Sequence, residues 1–105
     1  MLFSNCTSLT KITIPASVEH LGNGNNYGPF AFSGIEEIIF EEGNLSYIGW
    51  GTFANCYNLT SITLPDTVIK MRSFTFVNCR ELKNVILSNN LEIIESGVFY
   101  NCSSL

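Results

Sequence analysis

Four residue types in this chain have the chemistry to form a site, and each is tested by its spacing. The four cysteines are Cys6, Cys56, Cys79 and Cys102. An even cysteine count in a short chain can signal disulfides. The last three, however, recur every 23 residues, so they stack in one column. Their side chains then run parallel into a core, a poor geometry for bridging even where the backbones lie close enough. They read as buried free thiols acting as small hydrophobes. There is no Cys-x-x-Cys, and the single histidine, His20, falls elsewhere. A metal site is therefore not expected, and neither is any other cofactor. His20 stands between inward-facing Val18 and Leu21 and reads as a surface residue. No Ser/His/Asp or Cys/His set can be assembled around it, so no catalytic residues are assigned and the chain is not read as an enzyme.

Two further groupings invite chemistry and fall short of it. The segment Gly22–Pro29 is rich in Gly and Asn, but Tyr27 occupies the place of the third glycine of a nucleotide fingerprint, and no P-loop lysine follows. It reads as a surface insertion, with Tyr27, Phe30 and Trp50 as its apolar contact residues; insertions into repeats often bind. Glu36, Glu37, Glu41 and Glu42 form an acidic cluster without the oxygen spacing of a calcium loop. They read as a solvated face able to steer a basic partner. The asparagines Asn5, Asn55, Asn78 and Asn101 precede the cysteines and read as turn residues satisfying backbone groups.

Composition narrows the classes further. The chain has 105 residues, 46% hydrophobic and 13% charged, with five Lys/Arg against nine Asp/Glu and a net charge of −4. One domain covers 1–105. No basic patch exists to neutralise phosphates, which argues against nucleic-acid binding. The longest apolar runs are of three residues, as in Ile38-Ile39-Phe40, far below the ~20 a spanning helix needs, so no membrane insertion is expected. Met1–Cys6 shows no basic region or hydrophobic stretch, and no signal peptide is read there.

An internal repeat decides the architecture. Phenylalanines at Phe3, Phe32, Phe53, Phe76 and Phe99 are separated by 29, 21, 23 and 23 residues. Phe53, Asn55, Cys56, Leu59, Ile62, Leu64, Val68 and Met71 recur without a gap as Phe76, Asn78, Cys79, Leu82, Val85, Leu87, Leu91 and Ile94. A copy from Phe3 to Leu21 matches as well. The copy begun at Phe32 lacks the Asn-Cys pair and is two residues short, while six extra residues follow Leu21. The repeats are placed at 3–31, 32–52, 53–75 and 76–98, with a partial fifth at 99–105, about four and a half in all.

A period of 20–29 residues carrying Leu-x-x-Ile-x-Ile has the size of one leucine-rich coil. The alternating part predicts strands at Lys11–Ile14, Glu37–Phe40, Ser61–Leu64 and Asn84–Leu87. Pro15 and Pro65 end two of them. Second extended pieces are expected over Val18–Leu21, Leu45–Ile48, Val68–Met71 and Leu91–Ile94. The Phe segments are expected to be short helical turns whose Phe plugs the core. One coil cannot bury its own apolar face and must stack on its neighbours. Neither terminus resembles a polar cap, which leaves three expectations: the sequence is a fragment of a longer solenoid, its ends are buried by self-association, or the short stack stands alone.

The string Phe-x-Asn-Cys-x-x-Leu-x-x-Ile-x-Leu-Pro-x-x-Val, best carried by Phe53 to Met71, resembles the BspA-like, or treponemal-type, leucine-rich repeat over the whole chain. The resemblance implies a right-handed, β-rich solenoid with short parallel strands on one face. It also implies surface location, adhesion and protein binding. The expected function is a non-catalytic protein-binding or adhesion module whose partner is a protein or peptide. Its contacts would be the concave-face positions Thr13, Glu37, Ile39, Thr63, Asn84 and Ile86, with Tyr27 and Phe30 of the insertion. The alternative is a structural spacer, or a unit that assembles end to end within a larger surface protein.

Overall fold

A computed structural model describes residues 6, 8–22 and 26–105. Phe3 and Asn5, and residues 23–25 of the insertion, lie outside the described residues. The chain winds as a parallel β-solenoid of about four turns. Each coil contributes a first strand, a corner, a short second strand and a turn segment. The first strands are β1 (Lys11–Ile14), β3 (Glu37–Phe40), β5 (Ser61–Thr63) and β7 (Asn84–Ile86). The second strands are β2 (His20–Leu21), β4 (Tyr47–Ile48), β6 (Lys70–Met71) and β8 (Ile93–Ile94). All pairings are parallel, and β2-β4-β6-β8 form one continuous sheet.

The sequence explains these elements locally. Ile12 and Ile14, or Ile62 and Leu64, point inward because side chains alternate across a strand. Pro15 follows β1 directly and closes a corner in which Val18 N–H donates to the Pro15 carbonyl at 3.1 Å; Pro65 and Val68 repeat it at 3.1 Å. The second strands are only two residues long, because Val18, Leu45, Val68 and Leu91 belong to the corner rather than to the ladder. The expected helical turns are chains of single i to i+3 turns, such as Ala54 N–H to Gly51 and Cys56 N–H to Phe53; no helix occurs among the described residues. The reason is the left-handed backbone at Gly51 and Asn55 (φ 58° and 59°), and again at Phe74 and Asn78 (both 61°). Such residues interrupt a right-handed helix within one turn.

The core corrects the register of the second coil. The stacked phenylalanines are Phe30, Phe53, Phe76 and Phe99, with ring centroids 5.5, 5.3 and 5.7 Å apart and planes within 10°. Phe30, not Phe32, is the core plug of its coil, and the spacing is then 23 throughout. Phe32 falls in the asparagine column: its N–H donates to the Ala54 carbonyl (2.9 Å) as Asn55 N–H does to Val77 (2.8 Å), and its φ of 61° matches those of the asparagines. The apparent two-residue shortening is one residue lost before β3 and one gained after it. The insertion after Leu21 is four residues long.

The coils are joined by more than the core. Cys56, Cys79 and Cys102 are free thiols and donate to the carbonyls of Phe30, Phe53 and Phe76 in the preceding coil at 3.2, 3.2 and 3.1 Å. The asparagines form an amide ladder: Asn101 Nδ2 donates to Asn78 Oδ1 (3.0 Å) and Asn78 Nδ2 to Asn55 Oδ1 (2.9 Å). They satisfy one another rather than the backbone, and they supply the left-handed conformation that asparagine tolerates better than most residues.

Candidate functional site

The first-strand face carries the outward positions in rows. Lys11 pairs in register with Glu37 and Thr13 with Ile39; Ser61 pairs with Asn84 and Thr63 with Ile86. The structure therefore brings Thr13, Glu37, Ile39, Thr63, Asn84 and Ile86 onto one exposed surface. Ile39 is 38% and Ile86 61% exposed, although inward isoleucines at neighbouring positions are covered. Lys11 Nζ stands 3.8 Å from Glu37 Oε2, with both side chains well exposed. An exposed pair of this kind contributes about 0–1 kcal/mol to stability, so these charges are available to orient a partner.

This face is not one sheet. β1 pairs only with β3 and β5 only with β7. β3 and β5 run side by side with Cα atoms within 8 Å, yet no ladder joins them. The one-residue loss before β3 and the gain after it displace this strand from its place in the 23-residue register. The resulting seam holds two clefts. One, of about 450 Å³, is polar and lined by Thr10, Lys11, Glu36, Glu37, Thr60 and Ser61. The other, of about 310 Å³, is largely apolar and lined by Ile38, Ile39, Phe40, Thr63 and Pro65. Sequence reasoning missed Phe40, Thr60 and Pro65 as surface-forming residues. Their only signal was the compensating gap, which leaves the coil length unchanged.

Tyr27 is 37% exposed, and its ring lies 5.2 Å from Trp50, which is partly exposed. Phe30 is corrected. It is 3% exposed, stacked on Phe53, and belongs to the core; the core takes it because it occupies the plug position of its coil. His20 is exposed beside Tyr47 at 5.5 Å. Glu36, Glu37, Glu41 and Glu42 are exposed, and Glu41 Oε1 accepts the Ala16 N–H at 3.1 Å. Among the described residues, no three His, Cys, Asp or Glu side chains converge as a metal site.

The cysteine column has packing rather than reactivity as its chemistry. Burial pushes the Cys56 thiol up to about 11, outweighing the Ser33 hydrogen bond that favours the thiolate. Burial likewise raises Cys79, with the neighbouring Cys56 adding to the effect, and it raises Cys102. A thiolate is the reactive form, so these three are inert in the fold, whereas Cys6 is exposed. Native protein at neutral pH should take up one equivalent of iodoacetamide rapidly, and four only after unfolding, as counted by mass. The same shifts fix a pH dependence. A raised acid stabilises the fold below its unfolded value, ~8.5, and this contribution is lost as pH rises through 11. The melting temperature should fall across that window, and less so in Cys56→Ser.

A family model described as the BspA type leucine-rich repeat region matches residues 1–105 in six copies. No curated protein and no solved structure matches the chain.

Proposed function

Because the chain belongs to the BspA-type leucine-rich repeat family, whose repeats generally serve as protein-binding modules, we propose that it is a non-catalytic binding or adhesion module that engages an extended segment of a protein partner along the β3–β5 seam. The observation that carries this reading is the seam itself. An interruption of the strand face leaves a polar cleft and an apolar cleft in line, bordered by the exposed Ile39. An extended chain crossing it would set an apolar side chain against Ile39, Phe40 and Pro65 and a charged one against Lys11 and Glu37. Solenoids bind through such extended faces, and a few apolar anchors carry most of the energy in a protein interface. Members of the family are often surface proteins, and a cell surface is the setting in which adhesion would operate.

The test is selection of peptides from a displayed library on the wild-type protein, followed by affinity measurements on variants that melt normally. Ile39→Asp and Thr63→Arg, both at the apolar cleft of the seam, should each weaken the selected peptides tenfold or more, about 1.4 kcal/mol. Ile69→Asp lies outside the first-strand face and should leave them unchanged. Retained affinity in the first two variants, or loss in the third, would contradict the assignment.

A further inference from the structure

The outward face of β3 differs from those of the other first strands. Glu37 N–H donates to the Thr10 carbonyl at 3.1 Å, and Glu41 N–H donates to the Ile14 carbonyl at 2.9 Å. Both amides point to the first coil, and residues of one strand whose amides point the same way share a side-chain face. Glu41 thus continues the alternation past the end of β3, and the exposed row reads Glu37, Ile39, Glu41. The corresponding rows are Lys11, Thr13 and Pro15 in the first coil, Ser61, Thr63 and Pro65 in the third, and Asn84, Ile86 and Ser88 in the fourth. Only the second coil sets an apolar residue between two carboxylates.

The charges at this row are largely unspent. Glu36 and Glu42 flank it, so four of the nine acidic residues of the chain lie at the two ends of β3. Lys11 Nζ stands 3.8 Å from Glu37 Oε2, but Glu36, Glu41 and Glu42 have no ion-pair partner among the described residues. Glu41 Oε1 accepts the Ala16 N–H at 3.1 Å. That bond fixes the position of the carboxylate and leaves its negative charge unbalanced.

An extended chain has the same two-residue repeat as β3. Alternate side chains on one of its faces stand about 6.5 Å apart, the spacing of the β3 row itself. A chain laid along the β3–β5 seam therefore sets three alternate side chains against the row at once. The middle one meets Ile39, which is 38% exposed at the apolar cleft it shares with Phe40, Thr63 and Pro65. The outer two meet carboxylates, which attract cations and repel acids. The row reads the same from either end, so this pattern holds whichever way the bound chain runs.

We infer that the seam selects an extended protein segment in which a large apolar residue has Lys or Arg two residues away on both sides. This rests on the seam reading above and adds the charge and spacing of the partner. Four fluorescein-labelled peptides test it by anisotropy at physiological ionic strength. Their central residues are Lys-Thr-Leu-Thr-Lys, Glu-Thr-Leu-Thr-Glu, Lys-Thr-Ser-Thr-Lys and Lys-Lys-Leu-Thr-Thr. The first should bind tenfold or more tighter than the second and the third. It should bind about threefold tighter than the fourth, which has the same composition but keeps only one cation in place, the worth of one surface charge contact. Glu37→Gln and Glu41→Gln should each weaken the first peptide about threefold, and together about tenfold. Neither should weaken the second peptide, and Glu41→Gln retains an oxygen for the Ala16 N–H. Ile39→Ser should weaken the first peptide tenfold or more. Equal affinity for the first two peptides, lost in Ile39→Ser, would overturn the charge selection and leave the seam reading standing. Equal affinity for the first and fourth would reduce the preference to net charge and overturn the spacing. Binding of the first peptide that Ile39→Ser leaves unchanged would overturn the charge selection and the seam reading together. No binding of the first peptide would overturn the charge selection, and the library selection would then decide the seam alone.

Discussion

Phe76→Ala should cost the fold about 3–5 kcal/mol, enough to remove most of the ~5–15 kcal/mol by which a domain is stable. The Phe76 ring is fully buried and stacked between Phe53 and Phe99 at 5.3 and 5.7 Å. Truncation opens a cavity against both neighbours at once. The backbone cannot close it, because Phe76 N–H is bound to the Val98 carbonyl at 2.9 Å and the Phe76 carbonyl accepts the Cys102 thiol at 3.1 Å. In a stack where each coil touches only its neighbours, a defect in the middle also weakens the coupling between the two halves. The matched substitution Phe99→Ala should cost distinctly less, because Phe99 is only partly buried and has a stacked partner on one side. Urea denaturation of both variants is the measurement. Equal losses would show that the aromatic column does not carry the stack.

Gly28→Ala should also destabilise the fold, by about 1–3 kcal/mol for overpacking. That is a drop of roughly 4–8 °C in melting temperature per kcal/mol. A Cβ on Gly28 would lie 2.4 Å from the Cα of Thr52, and the obstacle is backbone rather than a side chain that can swing away. Both sides are pinned: Gly28 N–H donates to the Gly51 carbonyl and Phe30 N–H to the Thr52 carbonyl, each at 3.1 Å. The insertion would have to lift, carrying Tyr27 off Trp50, so tryptophan emission should shift together with the melt. A variant with wild-type melting and emission would mean that the insertion is not seated as described.

Much of the fold was legible because the solenoid writes its geometry into periodic residues. The alternation in Lys11–Ile14 and Glu37–Phe40 marked β1 and β3 at their observed bounds. β5 and β7 stop one residue early, at Thr63 and Ile86. The column of Cys56, Cys79 and Cys102 was readable from spacing alone. Phe30 against Phe32 was not resolved, because both lie near the expected place and the repeat was anchored on the Asn-Cys pair, which the second coil lacks. The signal that distinguishes them is Phe30-Ala31 matching Phe53-Ala54 at a constant spacing of 23. The asparagine ladder could be counted but not oriented, since a left-handed φ and an amide bond to the next coil leave no trace in residue type. The seam was hidden for a different reason. A residue lost before β3 and another gained after it cancel in length, and only the strand path records the offset. The left-handed backbone of Phe74 was hidden likewise, because it shows only when Phe74 is superposed on Gly51 and Gly97.

The most direct test of the strand-face reading is residue-resolved amide exchange, measured on the free protein and again with a library-selected peptide bound. The free protein should show slow exchange in the β4 and β6 ladder and faster exchange along the facing edges of β3 and β5, where no pairing exists. Bound peptide should add protection within Ile38–Phe40 and Ser61–Thr63. Uniform protection of the first-strand face in the free protein, or protection gained only on the second-strand sheet, would contradict it.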